Sequence, residues 1–261
     1  MAYYVLFDTE TTGASQEDRV IQFGSLIVDQ KGNIEAFDEL CSSDVAIKLE
    51  AMEVHNITPN LLENKPKAVD TKFYKRLQEL NSSENFLIAH NINFDLDMIR
   101  KEGFINNFQL IDTLRCAKHL YPDLPYHRLQ YIRYALELYK TETAEAAKNN
   151  ITIKAHDAIG DVLVMKLFLT KLVGKCREMY PDYNPIEKLV DLTKTPVFMK
   201  TFKFGKHKGK DIESVAKEDA GYLNWMRTNM ELDEDMQYTL NMVLSWMKHV
   251  PATIPSAPHN P

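Results

Sequence analysis

The 261-residue sequence contains no apolar run near the 18 or so residues that a membrane-spanning helix needs. Its amino terminus lacks the cationic start of a secretory signal, because Met1 to Phe7 is apolar and uncharged, and acids follow at Asp8 and Glu10. Cysteine is scarce. Cys41, Cys116 and Cys176 stand far apart without a C-x-x-C pair, which argues against both a disulfide framework and a structural zinc site and points to the reducing cytoplasm. No segment repeats. Positive charge is in deficit, with 31 Lys and Arg against 37 Asp and Glu and a net charge of -6. Nucleic-acid-binding proteins are usually basic, so this balance at first weighs against such a partner. What remains is an ordinary globular composition, 44% hydrophobic and 26% charged, sufficient for a real core in one or two domains.

The order of elements is read from periodicity. Tyr3 to Phe7 is a continuous β-prone run, as expected of a strand buried on both faces, and Thr11-Thr12-Gly13 ends it. Val20–Val28 and Ile34–Leu40 read as an antiparallel hairpin around the polar turn 29–33. The period then changes: Val69, Phe73, Leu77 and Leu80 share one face of a helix over 66–80. Phe86–Ala89 is a short buried strand, followed by a helix over 95–102 that Gly103 stops. Leu110-Ile111 begins a last strand, and helices follow over 113–119, 129–139 and 158–173. This order predicts an α/β fold, a mixed sheet flanked by helices. Residues 141–154, rich in Glu, Ala, Lys and Asn, read as a solvated insertion. The prolines at 181, 185 and 196 suggest a linker over 181–196, separating a first domain of 1–180 from a small C-terminal domain of 197–250. Residues 251–261, with four prolines, read as a disordered tail.

Three acidic elements carry the chemistry. Asp8 and Glu10 stand two apart at a strand end, so both point to one side. Two like charges about 4 Å apart repel by roughly 4 kcal/mol at an effective dielectric of about 20. A divalent cation with oxygen ligands, Mg²⁺ or Mn²⁺, would offset that repulsion, and a solvent-exposed acidic turn is the alternative. The second element, His90-Asn91-Ile92-Asn93-Phe94-Asp95, leaves a buried strand and enters a helix; on its own, Asp95 is also explained by the preference for acids at helix starts. The third, His156-Asp157-Ala158-Ile159-Gly160-Asp161, opens the long apolar helix. Asp161 on that helix is costly without a metal or partner. The helix dipole at its mouth would keep His156 neutral, as a general base requires, whereas a surface histidine without a role is the plain alternative.

Together these elements resemble the three motifs of the DEDDh branch of the DnaQ-like 3′–5′ exonucleases: Asp8-Thr9-Glu10-Thr11-Thr12-Gly13, His90-Asn91 with Asn93-Phe94-Asp95, and His156-Asp157-Ala158 with Asp161. The resemblance covers about residues 1–180 and implies an RNase H-like fold. It further implies Asp8, Glu10, Asp95 and Asp161 as carboxylates of a two-metal site for Mg²⁺ or Mn²⁺, with His156 as general base. Thr9, Thr11, Asn91 and Phe94 would hold the terminal nucleotide. His55 would line the substrate, although Asn56 stands where family members commonly carry glycine.

The C-terminal domain carries the basic stretch. From Val197 to Lys210 there are five lysines and no acid, with Lys203, Lys206, Lys208 and Lys210 crowded around Phe204-Gly205 and Gly209. Three residues between the glycines and Asp211 after Lys210 exclude a P-loop. The stretch reads either as a solvated lysine-rich turn or as a clamp on a phosphate backbone with Phe202 or Phe204 for stacking. Tyr222, Leu223, Trp225 and Met226 read as core residues. Residues 198–230 resemble the C-terminal domain of exodeoxyribonuclease X-like proteins, which implies an accessory contact to nucleic acid. The expected activity is metal-dependent release of nucleoside monophosphates from DNA 3′ ends, in repair or proofreading. The alternatives are an RNase T- or oligoribonuclease-like exoribonuclease and a non-catalytic binding module. Expected partners are DNA with a single-stranded or frayed 3′ end, RNA in the alternative, and a polymerase or repair protein, with no membrane.

Overall fold

A computed structural model describes residues 2–149, 151 and 158–249. The chain divides into two compact units between Lys194 and Thr195. The apolar amino terminus forms β1 (Tyr3–Thr11), and β2 (Val20–Asp29) and β3 (Ile34–Leu40) extend the sheet antiparallel on one side. Asp29 closes the β2–β3 turn by accepting hydrogen bonds from the Lys31 and Asn33 amides, with Gly32 in the left-handed region at φ 84°. After α1 (Leu49–His55) and α2 (Lys72–Leu80), β4 (Phe86–Ala89) joins the other edge of β1 in parallel. The crossover α3 (Ile92–Lys101) then delivers β5 (Gln109–Asp112) parallel to β4, as parallel neighbours require. The sheet order is β3-β2-β1-β4-β5. The unit continues with α4 (Thr113–Leu120), α5 (Leu129–Ala135), α6 (Tyr139–Lys148), α7 (Ala158–Met179) and α8 (Pro185–Lys194).

Alternation along the strands splits the core into two layers. Leu6, Leu26, Ile88 and Ile111 bury with Val162, Leu163 and Phe168 of α7 on one face. Val5, Phe7, Ile27 and Leu87 bury with Phe73 and Leu77 of α2 and Ile99 of α3 on the other. Gly24 permits a close contact between layers. It pairs with Asp8 across the β1–β2 ladder, and a Cβ there would fall 2.3 Å from the Ala158 carbonyl carbon and 2.4 Å from the Ile159 nitrogen. The missing side chain lets the first turn of α7 lie against the sheet beside Asp8.

The structure departs from the sequence reading in several places. The helix expected from residue 66 starts at Lys72, where the Thr71 hydroxyl caps it by accepting from the Tyr74 amide; a short 3₁₀ turn precedes it, and Val69 is exposed. The helix expected from Asp95 already begins at Ile92. The helix expected over 129–139 breaks after Ala135, with Glu137 at φ 55°. The segment read as a solvated insertion overlaps α6, whose Glu142 and Ala146 are buried. The segment read as a linker contains α8, and Leu189, Val190 and Leu192 enter the first unit's core, so that unit runs to Lys194 instead of 180. The expected tail at 251–261 lies outside the described residues.

The second unit closes a loop by Phe202 and Lys210 backbone pairing and then packs α9 (Ile212–Glu218), α10 (Ala220–Asn229) and α11 (Glu234–His249). Phe202, Leu223, Met226, Met236 and Leu240 form its core, so Phe202 is not available for stacking on a ligand. Among the described residues no helix is long and apolar enough to cross a membrane, and the three cysteines are free and buried.

Two glycine substitutions should have opposite signs. Gly24→Ala inserts a methyl group into the α7 backbone and should destabilise by about 1–3 kcal/mol, as overpacking does. Gly174→Ala, in α7 with open space around it, should stabilise by roughly 0.5–1 kcal/mol through helix propensity. Denaturant midpoints of the two variants check both, and a neutral Gly24→Ala would refute the close contact.

Candidate active site

Burial alternates along the end of β1: Thr9 and Thr11 are buried, whereas Asp8 and Glu10 are half-buried on the opposite face. β4, the parallel neighbour of β1, ends at Ala89, and the chain turns through Asn91 at φ 74° into α3. Asp95 in the first turn of α3 is 2% exposed. It accepts hydrogen bonds from the Thr9 amide at 3.1 Å and the Thr9 hydroxyl at 2.7 Å. Burial nonetheless pushes Asp95 up to about 7, against the lowering effect of the Thr9 bonds and with a further push from Asp112. Asp161 lies in the first turn of α7, which Gly24 admits to the sheet.

Asp8 is the electrostatic centre of this group. Burial, followed by the charges of Asp95, Glu10 and Asp161, holds its carboxyl well above the usual carboxylate range. Four carboxylates from β1, α3 and α7 therefore sit within one another's field. Among the described residues, no three His, Cys, Asp or Glu side chains are already gathered as a ligand set around one point. The donors are nonetheless all hard oxygens, and their charges together hold the Asp8 carboxyl well above the usual range, which fits divalent cations of the Mg²⁺ or Mn²⁺ type. His156 and Asp157 lie outside the described residues.

The other residues singled out in the sequence fall into two groups. Thr9, Thr11 and His55 are engaged within the fold. The Thr9 hydroxyl proton goes to Asp95, and the Thr11 hydroxyl donates to the Gly13 carbonyl. His55 is buried; its Nδ1 accepts from the Ile57 amide at 2.9 Å, so Nε2 carries the proton and donates to the Thr11 carbonyl at 3.2 Å. Burial lowers the His55 pKa, consistent with a neutral ring that ties α1 to the end of β1. Asn56, in place of the common glycine, adopts φ 59° and ψ 17° at the C-cap of α1, a left-handed conformation that asparagine tolerates better than most residues. Asn91 and Phe94 form the second group. The Asn91 side chain is exposed and does not cap α3, and Phe94 is half-buried against the core.

Several residues that hold the site were given no such role in the sequence reading. Asp112, buried at the end of β5, accepts from the Asn91 amide at 3.0 Å and from the Leu114 amide at 2.9 Å, fixing the turn into α3 while capping α4. An aspartate between a strand and a helix was the available signal. His90 bonds the Thr113 hydroxyl and the His127 carbonyl; burial pushes it down to about 4, so it is a neutral structural tie. Asp18 shapes the loop after β1. Burial alone would raise its pKa, but bonds from Lys48, the Ser15 hydroxyl and amide, and the Thr12 hydroxyl outweigh burial and hold it well below the usual range. A Cβ on Gly13 would meet this carboxylate at 2.7 Å, which explains the glycine of the Thr-Thr-Gly turn. Finally, Gln130 of α5 donates to Asp161 at 2.6 Å. Arg133 holds the Gln130 carboxamide oxygen at 3.3 Å and is itself fixed by buried Glu142 of α6 at 2.7 Å. The segment read as an insertion thus supports a carboxylate of the candidate site.

Residues 5–168 match the family described as "Exonuclease", and residues 202–231 match the "Exodeoxyribonuclease X-like C-terminal" domain. Exodeoxyribonuclease 10 of Escherichia coli is 26% identical over 240 residues, covering 92% of this chain and 97% of the relative. The DNA polymerase III subunit epsilon of Treponema pallidum is 30% identical over 187 residues, covering 67% of this chain and 79% of the relative. In fold, the chain is similar to E. coli exonuclease I in complex with a dT13 oligonucleotide, with a TM-score of 0.51 and 22% identity over 70% of this chain and 43% of that one. A family match across more than half of the sequence, on the unit that gathers the four carboxylates, establishes that the chain belongs to the exonuclease family.

Proposed function

We propose that the protein is a metal-dependent 3′–5′ exonuclease that releases nucleoside monophosphates from single-stranded or frayed DNA 3′ ends, in repair or proofreading. The observation that carries this reading is the carboxylate group around Asp8, in a chain similar over nearly its whole length to exodeoxyribonuclease 10. The resemblance to a polymerase III epsilon subunit supports a proofreading setting and a polymerase partner as the second possibility. The buried free thiols favour a reducing cytoplasmic location.

Exonucleases of this family generally use divalent metal ions. Asp8, Glu10, Asp95 and Asp161 would hold two Mg²⁺ or Mn²⁺ ions, which when bound supply positive charge to the attacking water and to the departing 3′ oxygen. The chain's own residues do the rest. Thr9 keeps Asp95 oriented through two hydrogen bonds, and Gln130 keeps Asp161 oriented through one. His156 takes the proton of the attacking water. The water oxygen bonds to phosphorus as the bond to the 3′ oxygen of the penultimate nucleotide breaks, and that oxygen leaves with a proton from solvent. Asn91, with its exposed carboxamide, and Phe94 would grip the terminal nucleotide, and Lys203, Lys206, Lys208 and Lys210 would contact the phosphate backbone.

Labelled single- and double-stranded DNA and RNA distinguish the readings. We expect Mg²⁺-dependent loss of label from the 3′ end of DNA, abolished by EDTA and by Asp8→Ala or His156→Ala, with the far-ultraviolet circular dichroism of both variants unchanged. Activity at the wild-type level in either purified variant would reject the assignment. Gln130→Ala should lower metal affinity or activity by about 10- to 100-fold, the usual cost of losing the partner of a metal-binding carboxylate, while its unfolding midpoint moves little. Removing residues 195–261 should weaken binding to long DNA and flatten its salt dependence; an unchanged slope would exclude the lysines from the contact.

A further inference from the structure

The second unit presents an aromatic edge that its core does not use. Leu223 and Met226 of α10 are fully buried, but Trp225 on the same helix is 52% exposed, although the sequence places it among the packing residues. Its ring stacks on Tyr222, with centroids 6.0 Å apart and planes 24° from parallel. Tyr222 is held from several sides. The edge of His207 meets it at 4.9 Å, its hydroxyl accepts from the Lys206 amide at 3.3 Å, and the Lys206 ammonium lies 5.8 Å from its ring centre. Gly205, at φ 75°, comes so close that a Cβ would fall 2.4 Å from the Tyr222 hydroxyl. The lysine loop is therefore seated on the tyrosine that backs the exposed indole.

The charges around this edge are unequally used. Asp219 pairs with Lys206 and His207 and caps α10. Lys203, Lys208 and Lys210 have no carboxylate partner among the described residues. An exposed indole stacked on the tyrosine that seats a lysine-rich loop is complementary to a strand whose bases are unstacked and whose phosphates are accessible. Every base has a π-face, and stacking on a ring already fixed by Tyr222 orders few additional bonds. Duplex DNA presents phosphates but keeps its base faces covered.

We propose that Trp225, backed by Tyr222, is a stacking platform that docks a single-stranded DNA segment whose phosphates are met by Lys203, Lys208 and Lys210. The inference rests on the nucleic-acid reading above and names the feature that makes this contact selective for single strands. The chain has two tryptophans, so Trp246→Phe leaves Trp225 as the only indole emitter. With EDTA present to prevent cleavage, the full-length Trp246→Phe protein is titrated with an oligothymidylate of about 16 nucleotides and with a duplex of equal length. The single strand should quench the emission of Trp225 and the duplex should not. In the otherwise native chain, Trp225→Ala should raise Kd for the single strand by on the order of tenfold, and Trp225→Phe should restore most of it. Unquenched emission, equal quenching by duplex, or an unchanged Kd in Trp225→Ala would each overturn the proposal. A wild-type protein that cleaves no DNA would sink the exonuclease reading, whereas the fluorescence titration would still decide the platform.

Discussion

Electrostatic repulsion around Asp8 is the constraint to which the rest of the first unit answers. Burial and three neighbouring acids raise its pKa, and nothing in a sheet end tolerates such a group without compensation. The fold supplies partial compensation from the backbone itself. Asp95 and Asp161 each occupy the first turn of a helix, where the unpaired amides and the dipole favour negative charge. Thr9 adds two donors to Asp95, and Gln130 adds one to Asp161. These contributions orient the carboxylates without neutralising them, which leaves a site that gains from cations.

Positioning that group depends on packing far less tolerant than the electrostatics. Gly24 allows α7 to touch the sheet at the position that pairs with Asp8, so one absent methyl group fixes how close Asp161 comes to β1. Asp112 performs the matching task on the other side, holding the left-handed turn at Asn91 from which α3 and Asp95 follow. Behind them, His90 ties β4 to the segment before α5, and Glu142 with Arg133 holds the helix that carries Gln130. The site is thus supported by neutral histidine, buried ion pair and bare backbone in turn.

Much of this was legible in the sequence where local pattern and tertiary need coincide. The strands at 34–40 and 86–89 fall where β-prone runs end at polar turns, and the spacing of Asp8, Glu10, Asp95 and Asp161 follows from strand period and helix starts. What escaped was decided by contacts between distant segments. Composition marked α6 as solvated because its single buried acid, Glu142, is recognisable only once Arg133 stands opposite it. Prolines made α8 look like a linker, although Pro185 occupies a helix's first position, where its fixed φ is favourable and no amide is needed. Thr9 and Thr11 were read as donors to a substrate, but a strand's alternation turns them inward, where their protons are already committed.

The net charge of -6 misleads for a related reason. A sum over side chains treats every acid as a repulsive charge, whereas the structure gives the acids separate uses. In the second unit Asp211 and Asp219 cap α9 and α10, and Asp219 also takes up Lys206. Those acids are held at helix starts, while Lys203, Lys208 and Lys210 on the preceding loop have no carboxylate partner among the described residues. In the first unit the acids near Asp8 concentrate negative potential where cations would reverse its sign. A phosphate backbone meets local potential and not the total. An acidic chain can therefore serve a polyanionic substrate, provided its carboxylates are either tied to helix ends or gathered where metal ions offset them.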